Sequence, residues 1–180
     1  MKRQDPKFET PLRPWAKETI EAENEIRNEY GLRRKKEIWR IEAILREWRR
    51  KARELAAARN ADEEKTLLTK LHKFGLIREN ANLDDVLGLE ARSLLERRLQ
   101  TLVFKRGFAH SMKQARQFVV HGHIAVGGVK IVWPSMIVPT ALESEINFYD
   151  KSKVKAWLMA AKAKQVEKEK AAVAKKEEKK

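Results

Sequence analysis

Apolar residues recur every three or four positions through much of this chain, the spacing of helices that bury one face. The opening breaks that rule: Pro6, Pro11 and Pro14 predict an extended arm over residues 1–14. From Trp15 to Tyr30 the pattern predicts a helix, with Gly31 placed to end it. Ile38, Ile41, Leu45, Trp48, Ala52 and Leu55 trace the stripe of a second, longer helix. A third is predicted from Asp62 to Phe74 with Gly75 as its stop, and residues 83–89 read as a short helical turn or linker.

Further on, Leu95, Leu99, Leu102 and Val103 fall on one helical face, Arg98, Thr101 and Lys105 on another, and Gly107 ends the helix. Ser111 and Gln114 fit a capping box, in which hydroxyl and amide side chains satisfy free amides at a helix start. In the helix they open, Met112, Ala115, Phe118 and Val119 point inward, with Lys113, Arg116 and Gln117 outward. Gly122 closes it. Gly127 and Gly128, between alternating residues, predict a two-residue hairpin. In that register Val126 faces Val129 and Ile124 faces Ile131, all four on one buried face, while Ala125 and Lys130 pair on the other.

The sum is a mostly α fold with a small α+β module: a helical N-terminal domain at 15–96, then two short helices and a β-hairpin in a module at 97–161. The end, 162–180, is dominated by Lys, Ala and Glu without a stripe to bury, which predicts a frayed helix or disorder.

Charge then changes the picture. The 180 residues hold 40 Lys+Arg against 26 Asp+Glu, a formal net charge of +14 that attracts polyanions, nucleic acid first. No stretch approaches the ~20 apolar residues of a membrane span. The N-terminus has no apolar run behind its charges, so no secretory signal is expected there. With 0 Cys, disulfides and thiolate metal sites are excluded, and a reducing interior fits.

The charge is unevenly spread. The helix at 15–30 is acidic and is expected to face away from RNA or towards a basic partner. Residues 31–60 hold eleven basic and four acidic side chains, and Arg46, Arg49, Arg50 and Arg53 form a ridge beside the apolar stripe. Their excess over local acids favours phosphate contact over a merely solvated face. Between Arg97 and Leu142, 46 residues contain no carboxylate at all. A carboxylate beside a phosphate backbone costs Coulomb energy and displaces no counterion, which explains such a gap. His110, His121 and His123 lie in this run, but without Cys or a nearby carboxylate they read as RNA contacts or caps rather than metal ligands. Of the five Trp, Trp39 and Trp48 read as core; Trp133 is open between core and base stacking.

Within that run, residues 97–101, 107–109, 114–119 and 121–124 resemble the RNA-binding domain named after ribosomal protein S four. Upstream, residues 9–11, 30–33, 36–40 and 84–89 are similar to the archaeal and eukaryotic form of that ribosomal protein family. Gly127-Gly128 stands where Asn-Gly is more usual, keeping the turn chemistry, and the Cys cluster of some bacterial relatives is missing.

The resemblance implies direct binding of small-subunit ribosomal RNA at a multi-helix junction, an early role in assembling the subunit body, and an influence on decoding accuracy. It also implies small-subunit protein five as a neighbour, messenger RNA nearby where it enters the subunit, and a cytoplasmic, ribosome-bound setting. By the same likeness Arg97, Arg98, Lys105, Arg106, Ser111, Lys113, Gln114, Arg116, Gln117, His121, Gly122 and His123 fall on RNA-facing positions, with Lys130 and the arginine ridge beside them. Placed outward, Arg98 and Arg116 are expected to tolerate charge reversal without loss of fold. The domain also rides on pseudouridine synthases and a tRNA synthetase. The remaining helical residues, however, offer no Gly-rich phosphate loop and no nucleophile–base pair. No catalytic residue, cofactor, metal, membrane or small-molecule substrate is therefore expected. The alternative is a stand-alone structured-RNA binder or an accessory RNA-modification protein carrying the same domain.

Overall fold

The computed structural model describes residues 6–154; the tail expected at 162–180 and Trp157 lie outside them. Residues 6–16 carry neither helix nor strand, as their prolines require. The elements then run α1 (Lys17–Glu29), α2 (Lys36–Ala58), α3 (Ala61–Lys73), α4 (Leu83–Leu87), α5 (Ala91–Glu96), α6 (Leu99–Lys105), α7 (Met112–Val120), β1 (Ile124–Val126), β2 (Val129–Lys130), α8 (Thr140–Glu143) and β3 (Ile146–Phe148). The mostly helical reading with a small sheet holds.

Two cores divide the described chain. All six stripe residues of α2 are buried, and Leu67, Leu71, Val86, Leu94 and Leu95 close over them to make the first core. The second gathers Leu99, Leu102 and Val103 of α6, Ala115, Phe118 and Val119 of α7, and Ile124, Val126, Ile131 and Ile146 of the sheet. Met112 and Ile137 pack on the first core although the chain around them belongs to the second, so the two share a seam.

Gly31 lies in that seam. Its φ of +58° turns the chain from α1 towards α2, and a Cβ there would sit 2.8 Å from Met112 Cβ. Both the left-handed backbone and the close approach require glycine.

Three sequence expectations need correction. The helix expected to carry Leu95 through Val103 is broken: Arg98 is extended (φ −70°, ψ 143°), forms a bridge with Ile137 and caps α6. That break rotates the face on which Arg98 and Thr101 were expected to point outward, and both are buried. The hairpin pairs Val126 with Val129 and Ala125 with Lys130 as expected, but Val129, beside the turn on an edge strand, is 63 % exposed. Ala125, on the opposite face, is nonetheless buried, a small side chain flanked by partners on both strands.

The third correction is an unanticipated strand. β3 pairs antiparallel with β1, giving a three-stranded sheet in the order β2-β1-β3. Sequence-distant pairing of a three-residue strand leaves almost no periodic signal.

Replacing Gly31 by Ala is expected to destabilise the folded chain by more than about 1 kcal/mol, because alanine cannot relax into a left-handed, crowded site. Urea denaturation followed by circular dichroism measures this; an unchanged midpoint would show that the seam yields freely.

Candidate nucleic-acid interface

The cations of residues 97–130 fall into two groups once their partners are known. In the first, the side chain is spent inside the protein. Arg97 donates to Glu143 at 2.7 Å and to the Val138 carbonyl at 3.1 Å, with its side chain 15 % exposed. Arg98, at 4 % side-chain exposure, donates to Glu37 Oε2 at 2.7 Å. Arg116 grips both oxygens of the same carboxylate, at 3.1 and 3.0 Å. One carboxylate from the first turn of α2 therefore holds two guanidinium groups, one at the start of α6 and one in mid-α7.

Gln100 sits beside this triad, itself buried. Its amide donates to the carbonyls of Tyr30, Gly31 and Met112 at 3.1, 3.3 and 3.0 Å, and its oxygen receives Arg116 at 3.4 Å. Burial alone would push the Glu37 carboxyl up. The hydrogen bonds from Arg116 and Arg98 outweigh it and hold the group below the ordinary 4.5.

The outward placement expected for Arg98 and Arg116 is thus corrected: a buried guanidinium needs a carboxylate, and Glu37 supplies it. Sequence reasoning missed Glu37 because its partners lie 61 and 79 positions away.

Arg49 is corrected in the same way. Half-buried, it turns from the expected ridge to donate to the Leu89 carbonyl, tying α2 to the start of α5. Arg46, Arg50 and Arg53 remain exposed, Arg46 beside Glu9 at 3.6 Å and Arg50 with Glu54 at 2.7 Å. The acidic α1 meets its basic partners within the chain: Glu23 pairs with Lys35 at 2.8 Å and accepts from Trp39 Nε1, while Glu25 and Glu29 meet Arg92.

The second group of cations and polar side chains stays free to meet a ligand. Lys113, Gln117 and His121 are all exposed and follow one another at intervals of four along the outer line of α7. Ser111 caps that helix, accepting from Gln114 N at 3.2 Å. Gln114 closes the turn one residue earlier than a capping box would, accepting from the His110 amide at 2.7 Å.

Beyond the helix, Gly122 adopts φ +71°, and the turn it makes delivers His123 and the hairpin to the same end of the module as His121. Lys130 folds its stem over Gly122, so that a Cβ there would overlap Lys130 Cε and lie 2.8 Å from Nζ. The His121 and His123 rings stack at 6.3 Å. Lys105 is exposed opposite Glu96 at 3.2 Å, and Arg106, also exposed, reaches the Ser144 and Ile146 carbonyls at 3.3 Å each. Trp133 is 65 % exposed, so it is not core; Trp48 is buried and Trp39 half-buried.

Among the described residues there is no group of three or more His, Asp or Glu arranged to hold a metal ion, and no helix long and apolar enough to cross a membrane.

Two short packed helices feeding a small antiparallel sheet define a compact RNA-binding class, and residues 97–142 match the S4 domain. Over 149 residues the chain is 51% identical to small ribosomal subunit protein uS4 of Methanococcus aeolicus, an alignment covering 81% of this chain and 84% of that protein. The uS4 proteins of Metallosphaera sedula and Nanoarchaeum equitans are 50% and 48% identical over 153 residues each, covering 83% and 82% of this chain and 85% of either relative. The chain belongs to the uS4 family of small ribosomal subunit proteins, in its archaeal form. The resemblance read from residues 97–124 and from the upstream segments holds.

Replacing Glu37 by Gln is expected to cost about 3 kcal/mol, the low end for breaking a buried ion pair, since the carboxylate keeps some contact with water. A carboxyl held below its unfolded value stabilises fully above that value, and the benefit is lost as pH falls through the lowered one. Urea midpoints of the parent chain should therefore drop on acidification below about pH 4.5, and Glu37→Gln should flatten that limb. An acid limb unchanged in the variant would place the sensitivity elsewhere. Reversing Arg98 and Arg116 to Glu is likewise expected to unfold the chain rather than merely unload RNA.

Proposed function

We propose that this chain is a structural constituent of the small ribosomal subunit and binds small-subunit ribosomal RNA directly through the outer line of α7 and the turn and hairpin beyond it. The single observation that carries the reading is the fate of cations in the acid-free run. Arg97, Arg98 and Arg116 are accounted for by Glu143 and Glu37, Lys105 sits opposite Glu96, and Arg106 reaches the Ser144 and Ile146 carbonyls; Lys113, Gln117, His121, His123 and Lys130 remain along the outer line of α7 and the turn and hairpin beyond it. Arg46, Arg50 and Arg53 offer a second, separate set of phosphate contacts on α2.

Side chains cannot enter the deep major groove of A-form RNA, so recognition proceeds through shape, phosphates and 2′-hydroxyls at a helical junction. The buried arginines act by fixing the geometry of that surface. The rest of the reading follows the family: an early role in assembling the subunit body, a contribution to translational accuracy, small-subunit protein five as a neighbour, messenger RNA nearby, and a cytoplasmic setting. The protein acts without catalysis and without a cofactor; its relatives are named as ribosomal proteins.

Crosslinking of the tagged chain in cells, followed by RNA sequencing, is expected to recover small-subunit ribosomal RNA; predominant recovery of transfer RNA would reverse the assignment. In vitro, Lys113→Ala is expected to weaken binding to all RNA and to flatten the log–log salt slope by about 0.7–0.9, the counterion share of one phosphate contact. A loss of affinity at constant slope would mean that Lys113 supports the fold or reads a base instead.

A further inference from the structure

The turn after α7 brings three nitrogen-bearing side chains to one point. Gly122, in the left-handed region, lets the Lys130 stem lie directly against the backbone between the two histidines that flank it in sequence. The His121 and His123 rings are stacked, their planes 17° apart. His123 is pinned from behind: Ser152 Oγ lies 3.0 Å from Nδ1, and the Phe118 ring meets the imidazole edge-on.

The charges around His123 can be assigned element by element. His121 faces it from the end of α7 and Lys130 from β2, while α7 otherwise contributes Phe118. The turn after β3 contributes Ser152, with Asp150 and Lys151 exposed beside it.

We propose that His121, His123 and Lys130 form a seat for a single RNA phosphate, and that filling it draws a proton from solution onto His123. The proposal rests on the RNA-binding reading above and adds the ligand group and its proton linkage. With the seat empty, burial together with His121 and Lys130 pushes the His123 imidazole below its ordinary 6.5, so the free protein holds it neutral at pH 7. A phosphate against Lys130 neutralises one repulsion and adds an attraction, and the bias reverses.

Ser152 suits either state of the ring. Its hydroxyl already accepts from the Val154 amide at 3.3 Å and retains both a proton and a lone pair. It can therefore donate to a bare Nδ1 or accept from a protonated one, leaving Nε2 for the phosphate. Because binding the phosphate is coupled to protonation of His123, affinity rises as pH falls, through the interval between the lowered value in the free protein and the raised one in the complex.

The test measures binding of an in-vitro transcript of small-subunit ribosomal RNA by the full chain at pH 6, 7 and 8 and constant ionic strength. Calorimetry in two buffers of different ionisation heat counts protons. Affinity is expected to rise roughly three- to tenfold from pH 8 to pH 6, inside the ceiling of about a hundredfold that full uptake of one proton would set over two pH units. His123→Gln should abolish that rise. Because His123 touches Phe118 and Ser152, its variant requires a folded circular dichroism spectrum. The exposed His121→Gln supplies an independent arm: with one repulsion removed, the His123 imidazole starts closer to its ordinary value, so the pH slope should shrink. RNA binding with a flat pH profile, or with a slope unchanged in both variants, overturns the proton-linked seat while leaving RNA binding intact. A folded parent chain that binds the transcript at no pH overturns the RNA reading and this inference with it.

Discussion

A single carboxylate sets the relation between the two halves of this protein. Glu37 opens α2, and α2 is the spine of the first core; Arg98 and Arg116 belong to the elements that build the second. Taking Arg98 to 4 % side-chain exposure is tolerable only because a formal negative charge meets it at 2.7 Å. The same carboxylate holds Arg116, and the Gln100 amide adds three bonds to backbone carbonyls on both sides of the seam. Such a network is directional in a way that apolar packing is not. Sliding α6 and α7 together along α2 by one turn would strand two guanidinium groups, so the seam has one low-energy register rather than several.

That constraint explains why the overall charge is a misleading guide to individual residues. A net charge of +14 and a run of 46 residues without acid point correctly to a polyanionic partner. They do not say which cations meet it. Arginine, with its rigid planar fork, suits buried carboxylates, and Arg97, Arg98 and Arg116 are drawn inward to Glu143 and Glu37. The shorter list that remains outside is led by lysine and histidine. The acid-free character of the run is itself part of the design, since the partners of its arginines come from elements outside it and leave its outer surface unopposed.

What could be read from the sequence follows from the range of each interaction. The stripe of α2, the glycine stops at 31, 75, 107 and 122, the serine cap at 111 and the two-glycine hairpin are all set within a few residues, and the structure reproduces them. Glu37 carries no such signal: it is one acid in a strongly basic stretch, with cations close by in its own helix to suggest a solvated pair. Arg98 is hard to place because a helix break at residues 97–98 has no proline or glycine to announce it; the extended backbone there is imposed by the bridge to Ile137. The third strand leaves no local trace because residues 146–148 acquire their partner only after the chain has crossed α8.

The division between buried arginines and exposed lysine and histidine also bears on how such a surface could recognise RNA. Shape readout needs donors held at fixed separations, and flexible side chains on a flexible support would lose in ordering entropy what they gain in contact. Here the support is made rigid first: α7 is capped by Ser111, clamped through Arg116 at its middle and ended by Gly122, whose open Cα side receives the Lys130 stem. The side chains that face outward are then few and placed on a framework that cannot shift without breaking the Glu37 network. Losing a buried arginine and losing an exposed lysine therefore belong to different classes of defect. The first removes the scaffold on which every contact depends, whereas the second subtracts one contact from an otherwise intact surface.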